Sequence, residues 1–255
     1  MLADRAVGLE LLSWLIERHE DIRLCAFDPG TDEPTHSELV ALADRAGLTW
    51  VDYCPDDLDR FVDTINSVGP IDLLLCLWFG RILPEPVLRL PGLGAINIHP
   101  ALLPLNRGKH PNIWSIVDRT PAGVTIHFLD QGIDTGPIIL QRPVPVLPSD
   151  TGQTLYERLL EASVETFKEA WLRVLRGEYS SIPQSGPATL HRARDLERIS
   201  EIDLNRTYLA RELIDLLRAR TFPPYDGCYF VVDGQRYYLR LELYTRPDEE
   251  AGQDV

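Results

Sequence analysis

Short apolar runs alternate with segments of helical periodicity along the first 150 residues. Between Arg5 and Arg18, residues Val7, Leu11, Leu12, Leu15 and Ile16 recur at helical spacing and predict an amphipathic helix. Ile22 to Phe27 then reads as strand, Ser37 to Ala46 as helix, Leu48 to Tyr53 as strand and Leu58 to Ser67 as helix. The segment Ile71 to Trp78, IDLLLCLW, is apolar on both faces, as befits a central parallel strand covered by helices. Ala95 to His99 predicts another strand, stopped by Pro100, and Val124 to Leu129 and Ile138 to Val146 two more, joined by GIDTGP. Thr151 to Arg176 is the longest predicted helix, with Asp150 or Thr151 as its cap and Gly177 just past its end. The alternation predicts an α/β protein with a doubly wound, mostly parallel sheet. Such a sheet usually opens with a strand, yet MLADRAV enters a helix almost at once. The expectation is therefore a first strand that is vestigial or truncated.

Beyond the long helix the pattern changes. Glu178 to Pro187, rich in Ser, Pro and Gly, reads as a linker. After it come a helix near Thr207 to Arg220, the break FPPYDG, and a hairpin of Tyr229 to Val232 and Arg236 to Tyr244 around Asp233-Gly234. This divides the chain into residues 1–177 and a small α/β C-terminal module, 178–255. With 255 residues, 44% hydrophobic and 25% charged, the composition is that of a globular protein with a full core. Lys and Arg number 25 against 39 Asp and Glu, a net charge of −14, which argues against a nucleic-acid partner. No apolar run reaches the roughly 20 residues that span a bilayer, and the start does not resemble a secretory signal. Cys25, Cys54, Cys76 and Cys228 are scattered, without a C-x-x-C pair, and read as buried thiols of a cytoplasmic protein.

The chemistry concentrates in Asn97-Ile98-His99-Pro100. Residues two apart on a strand share a face, so Asn97 and His99 present an amide beside an imidazole at the strand's C-terminal end, where doubly wound sheets hold ligands. That pair suits a carbonyl carbon under attack, the amide stabilising an oxyanion and the imidazole moving protons. Later, Gly132-Ile133-Asp134-Thr135-Gly136-Pro137 places a carboxylate in a turn that brings Asp134 to His99, with the expectation of a raised His99 pKa. No Ser or Cys here sits in a nucleophile pattern, which points to group transfer onto a substrate amine. His19, His36 and His191 read as structural, and His127 as a residue lining the crevice. His99, His110 and His127 lack metal-ligand spacing, so no metal is expected. Gly92-x-Gly94 precedes a strand and is no phosphate loop, and the sequon at Asn205 has no secretory context.

INIHPALLPLNRG followed by VTIHFLDQGIDTGPIILQ resembles the folate-dependent formyltransferases, the superfamily of glycinamide ribonucleotide and methionyl-tRNA formyltransferases. The resemblance spans roughly Arg5 to Gly177. It implies a Rossmann-like formyltransferase fold, a catalytic trio of Asn97, His99 and Asp134, and 10-formyltetrahydrofolate as formyl donor. Its pterin would lie against Trp78, Phe79, Arg81, Ile82 and Leu83, and against Asp130, Gly132 and Ile133. NRGKHPNIW and RTFPPYDG look most like the sugar N-formyltransferases, which act on nucleotide-linked amino sugars for bacterial surface polysaccharides such as lipopolysaccharide O-antigen. That implies substrate contacts from Asn106, Arg107, Lys109 and His110, and flat surfaces from Phe222, Tyr225 and Tyr229. The aromatic hairpin is a candidate homodimer surface. Methionyl-tRNA and glycinamide ribonucleotide formyltransferases remain alternatives, as does an inactive nucleotide-sugar or folate binder.

Overall fold

The computed structural model describes residues 1–30 and 35–244. Leu2–Ala3 (β1) leads into Arg5–Glu17 (α1), then Cys25–Phe27 (β2), Thr35–Arg45 (α2), Trp50–Asp52 (β3), Leu58–Ser67 (α3) and Leu74–Leu77 (β4). A helical turn at Glu85–Leu88 (α4) precedes Ala95–His99 (β5), Arg107–Gly108 (β6), Pro111–Val117 (α5), Ala122–Phe128 (β7), Ile138–Val144 (β8) and Gly152–Leu175 (α6). The tail adds Leu190–His191 (β9), a 3-10 turn, Glu197–Ser200 (α7), Ala210–Ala219 (α8) and an antiparallel hairpin of Cys228–Val232 (β10) and Gln235–Leu239 (β11).

Seven strands form one sheet in the order β3-β2-β1-β4-β5-β7-β8. The first five run parallel, whereas β7 is antiparallel to both β5 and β8. The chain winds outward from β1 to β3, then restarts at β4 on the other side of β1. Such a reversal opens a crevice at the C-terminal ends of the strands.

The first strand is short rather than missing. Leu2 pairs with Ala26 on one side and Cys76 on the other, and Ala3 with Phe27 and Leu77. Partners on both flanks let two residues hold this central position, and the Asp4 N–H continues the ladder onto the Leu77 carbonyl at 3.2 Å.

The run IDLLLCLW is apolar throughout because β4 feeds two cores. Leu75 and Leu77 pack with Val7, Leu11, Leu15, Ile96, Leu155 and Phe167, while Leu74 and Cys76 face Tyr53, Phe61, Ile65 and Phe79. Helix α6 starts at a reciprocal cap: Thr151 Oγ1 accepts from Thr154 N, and Thr154 Oγ1 from Thr151 N. Asp150 instead takes an ion pair with Arg158 at 2.8 Å. Gly177, at φ +67°, ends the helix in the left-handed conformation glycine tolerates.

The tail is docked rather than tethered. Buried Arg218 on α8 donates to the Leu147 and Asp150 carbonyls, at 3.1 and 2.9 Å. The predicted linker is itself built into the fold: Ile182 exchanges backbone hydrogen bonds with Ile138, and β9 pairs in parallel with β6. Residues 245–255 of the predicted second module lie outside the described residues. Cys25, Cys76 and Cys228 are buried thiols as expected, but Cys54 is exposed. No helix among the described residues is long and apolar enough to cross a membrane.

Candidate active site

Strand β5 aims Asn97 and His99 to one face while Ile96 and Ile98 enter the larger core. Across the antiparallel pairing, Asn97 lies opposite His127. The Asn97 Nδ2 amide is 3.2 Å from His127 Nε2. His127 Nδ1 lies 2.8 Å from the Phe128 carbonyl, which can only accept, so Nδ1 carries a proton and Nε2 receives the amide hydrogen. The same logic fixes His99. Its Nε2 lies 2.8 Å from the Asn106 carbonyl and donates there, leaving Nδ1 to face Asp134 Oδ2 at 3.5 Å. Asp134 Oδ1 lies 3.6 Å from His127 Nε2, and Oδ2 accepts the Gly108 N–H at 2.9 Å. One carboxylate thus lies between two imidazoles and accepts from a backbone amide.

The turn carrying Asp134 is stapled by its own side chains. Asp130 Oδ1 accepts from Gly132 N at 3.0 Å and from Thr135 Oγ1 at 2.5 Å. A Cβ on Gly136 would lie 1.9 Å from the Phe128 carbonyl oxygen, so only glycine lets the turn close onto β7. Asp134 itself sits at φ +52°, a left-handed conformation tolerated by Asp and held here by its surroundings.

Charge follows burial. Desolvation pushes Asp134 up, but the opposing influence of His99, His127 and the Gly108 amide holds it well below the usual carboxylate range. His99, only 5% exposed, is shifted the other way from expectation. Burial lowers its pKa, and the raising effects of Asp134 and the Asn106 carbonyl do not reverse that. The proximity expected from the sequence is present; the raised pKa is not.

Asn97, His99 and Asp134 open onto a cleft of about 630 Å³ at the strand ends, whereas His127, expected to line the crevice, is fully buried behind Asn97 and does not reach it. Trp78, Phe79, Arg81, Ile82, Leu83, Asp130, Gly132 and Ile133 all line it, as do Lys109 and His110. Arg81 is held there by Asp28, with Nε to Oδ2 at 2.5 Å. Lys109 Nζ donates to the Gly80 carbonyl at 2.8 Å, and burial lowers its pKa ahead of the repulsion from Arg5. His110 is pushed down to about 4, by burial and then by Lys109, Arg220 and Arg5.

Two expected contacts turn away. Asn106 is fully buried, donating to Ser115 and Thr120 at 3.0 and 2.8 Å, so its amide braces the loop behind His99. Arg107 donates to Gln184 Oε1 at 2.6 Å instead of lining the cleft. Phe222 and Tyr225 join the cleft indirectly, through ring contacts running from Trp78 to Tyr156, Phe222 and Tyr225. Tyr229 lies on the hairpin, beside Tyr238. Sequence reasoning missed Arg5, Tyr156 and Gln184, none of which belongs to a local pattern, and the Gly108 amide, although that glycine closes the motif INIHPALLPLNRG. Alternation along β7 was the one signal for His127. Among the described residues, no group of three or more His, Cys, Asp or Glu is arranged to hold a metal ion.

The profile of the formyl transferase family matches residues 53–171, and that of an N-formyltransferase dimerization C-terminal domain matches 195–245. The chain is 30% identical over 236 residues to methionyl-tRNA formyltransferase of Geobacter sulfurreducens, covering 90% of this chain and 72% of that protein. A 4-N formyltransferase from Francisella tularensis superposes with a TM-score of 0.79 at 25% identity, over 96% of this chain and 97% of its own. The formyltransferase PseJ from Anoxybacillus kamchatkensis, solved with UDP-4,6-dideoxy-4-formamido-L-AltNAc and tetrahydrofolate, is 31% identical. Its TM-score is 0.53, over 69% of this chain and 88% of that one.

Proposed function

The chain belongs to the formyltransferase family, and on that premise we propose that it moves a formyl group from 10-formyltetrahydrofolate to the amine of a nucleotide-linked amino sugar. The observation carrying the sugar reading is the cleft's mouth. Arg5, Lys109 and Arg220 act together on His110, a local cluster of cations on a chain of net charge −14. Arg220 Nε is buried without a hydrogen-bond partner among the described residues. Tyr156, whose hydroxyl accepts from Arg5 at 3.4 Å, begins a run of rings that continues through Phe222 to Tyr225. Cations beside flat rings suit a diphosphate joined to a base. The folate fits the remainder: Trp78, Phe79, Ile82 and Leu83 give an apolar wall for a flat ring system, in a cleft of about 630 Å³.

The bound donor supplies an activated formyl carbon. Around that carbon, we assign Asn97 to donate an amide hydrogen to the formyl oxygen as negative charge develops there. His99 enters the reaction neutral, with its free lone pair on Nδ1, and takes the proton that the attacking amine releases. Asp134, 3.5 Å away, stabilises the resulting imidazolium, which gives the proton to N10 of the folate as the bond between that nitrogen and the formyl carbon breaks and tetrahydrofolate leaves. His127 fixes the Asn97 amide, and the Gly108 N–H holds the carboxylate. The Asn106 carbonyl keeps the His99 tautomer that leaves Nδ1 available.

The relationship to the Geobacter protein favours a second reading, formylation of methionyl-tRNA; the net charge of −14 opposes it. The test incubates the chain with 10-formyltetrahydrofolate and, separately, 3-amino and 4-amino sugars linked to dTDP, UDP or GDP, or methionyl-tRNA. A formyl adduct on an amino sugar supports the proposal; adduct on tRNA alone overturns it. The hairpin, with Val231, Val232, Tyr237 and Tyr238 exposed, is the proposed homodimer surface, checked by light scattering.

A further inference from the structure

Between the two matched profiles lies a stretch, residues 172–194, that neither covers. It returns along the rear of the reaction centre and holds both of its arms. On one arm, Gln184 Nε2 donates to the Asp134 carbonyl and to the Gly136 carbonyl, both at 2.8 Å. Its amide orientation is fixed because Oε1 accepts from Arg107, whose guanidinium can only donate. On the other arm, Thr189 Oγ1 accepts the Asn106 N–H at 2.7 Å, and the Asn106 carbonyl holds His99 Nε2. Between the arms, β9 pairs with β6, aligning Gly108 with His191 so that the Gly108 N–H meets the Asp134 carboxylate. A Cβ on Gly108 would lie 2.2 Å from the His191 carbonyl oxygen, a measure of how closely the segment is laid down.

We infer that residues 182–191 form a positioning strap for the reaction centre, in which Gln184 sets the Asp134 turn and Thr189 sets the loop that orients His99. The inference rests on the reading of Asn97, His99 and Asp134 as catalytic. Asp134 holds its left-handed conformation with the carbonyls at 134 and 136 both directed at one amide. Without those donors the turn relaxes and the carboxylate leaves Nδ1. A displacement on the order of 1 Å can cost about 10²-fold in rate.

Q184E separates this role from simple packing, because glutamate keeps the acceptor for Arg107 and removes both donors. T189V keeps the branched shape and removes the hydroxyl, and T189S restores it. We expect kcat to fall on the order of 10²-fold in Q184E and T189V, with donor KM and Tm near wild type and T189S near full activity. A second readout needs no acceptor: 15N imidazole NMR of His99, whose ring also faces His127 and Lys109. In Q184E the His99 pKa should move down, because Asp134 no longer supports the imidazolium. Wild-type kcat and an unmoved His99 titration in Q184E overturn the strap. Activity surviving in H99A and D134N overturns the catalytic reading instead, and the NMR titration still decides whether the strap holds Asp134 to His99.

Discussion

Replacing Asp134 by Asn removes one charge from the reaction centre while preserving its shape. The Asn side-chain oxygen still accepts the Gly108 N–H that now lies 2.9 Å from Oδ2, so the turn has no reason to open. What disappears is support for a protonated His99. At the observed 3.5 Å, and an effective dielectric near 20, two unit charges attract by about 5 kcal/mol. Asp134 is shared with His127 and Gly108, and the amide dipole recovers part of the loss, so about 4 kcal/mol is the working figure. That corresponds to a fall in kcat on the order of 10³-fold, since each 1.36 kcal/mol is tenfold. Single-turnover transfer from 10-formyltetrahydrofolate to the accepted amine, followed by mass spectrometry, measures it. Donor affinity, read by equilibrium quenching of the protein's tryptophan fluorescence, should stay within about threefold, because the ring wall is untouched. A D134N enzyme within tenfold of wild-type kcat refutes the charge argument.

Three other outcomes are expected. Because burial holds the His99 pKa below its ordinary value and the neutral ring is the working form, kcat/KM should lose activity on the acid side with an apparent pKa below about 6.5, measured over pH 4.5–8. G136A, whose methyl would meet the Phe128 carbonyl at 1.9 Å, should lose about 1–3 kcal/mol by urea denaturation and most of its activity with it. R158M leaves the buried Asp150 carboxylate without its cation and should cost about 3 kcal/mol at pH 7. Because the folded Asp150 pKa is lowered, its contribution is full above the unfolded value of about 4 and is lost as pH falls through the folded value. The difference between wild type and R158M should therefore shrink in acid denaturation scans.

The parts of this molecule legible in the sequence are those where pattern and structure share a local cause. The predicted span Leu58 to Ser67 is the observed α3, whose apolar residues recur at helical spacing, and Ala95 to His99 is the observed β5, stopped by Pro100. Asn97 and His99 were readable because a strand puts alternate residues on one face. The Asp134 turn was readable because its glycines flag close approach. Failures arise where partners are remote. Nothing in Leu2-Ala3 marks a strand, since its pairing comes entirely from residues 26–27 and 76–77. Gln184 sits in a Ser, Pro and Gly stretch whose composition says only that it is not a helix. Asn106 looks like a loop residue offering an amide to solvent, but Ser115 and Thr120 draw it inward. The direction of the His99 shift depends on the burial of its ring in the folded chain, which a carboxylate motif in the sequence cannot reveal.

The cationic mouth on an acidic body also has a kinetic consequence. An anionic ligand approaching from bulk meets the repulsion of a chain with net charge −14 before it feels Arg5, Lys109 and Arg220. Those two influences act over different ranges. Near 0.1 M salt the screening length is about 10 Å, which mutes the distant repulsion but spares contacts made inside a partly buried mouth. Moderate salt therefore quickens encounter here, opposite to the slowing seen where a ligand is steered to a target of opposite charge. The fold has placed these cations where only a ligand already at the cleft can sense them, so their work is done after encounter rather than before it.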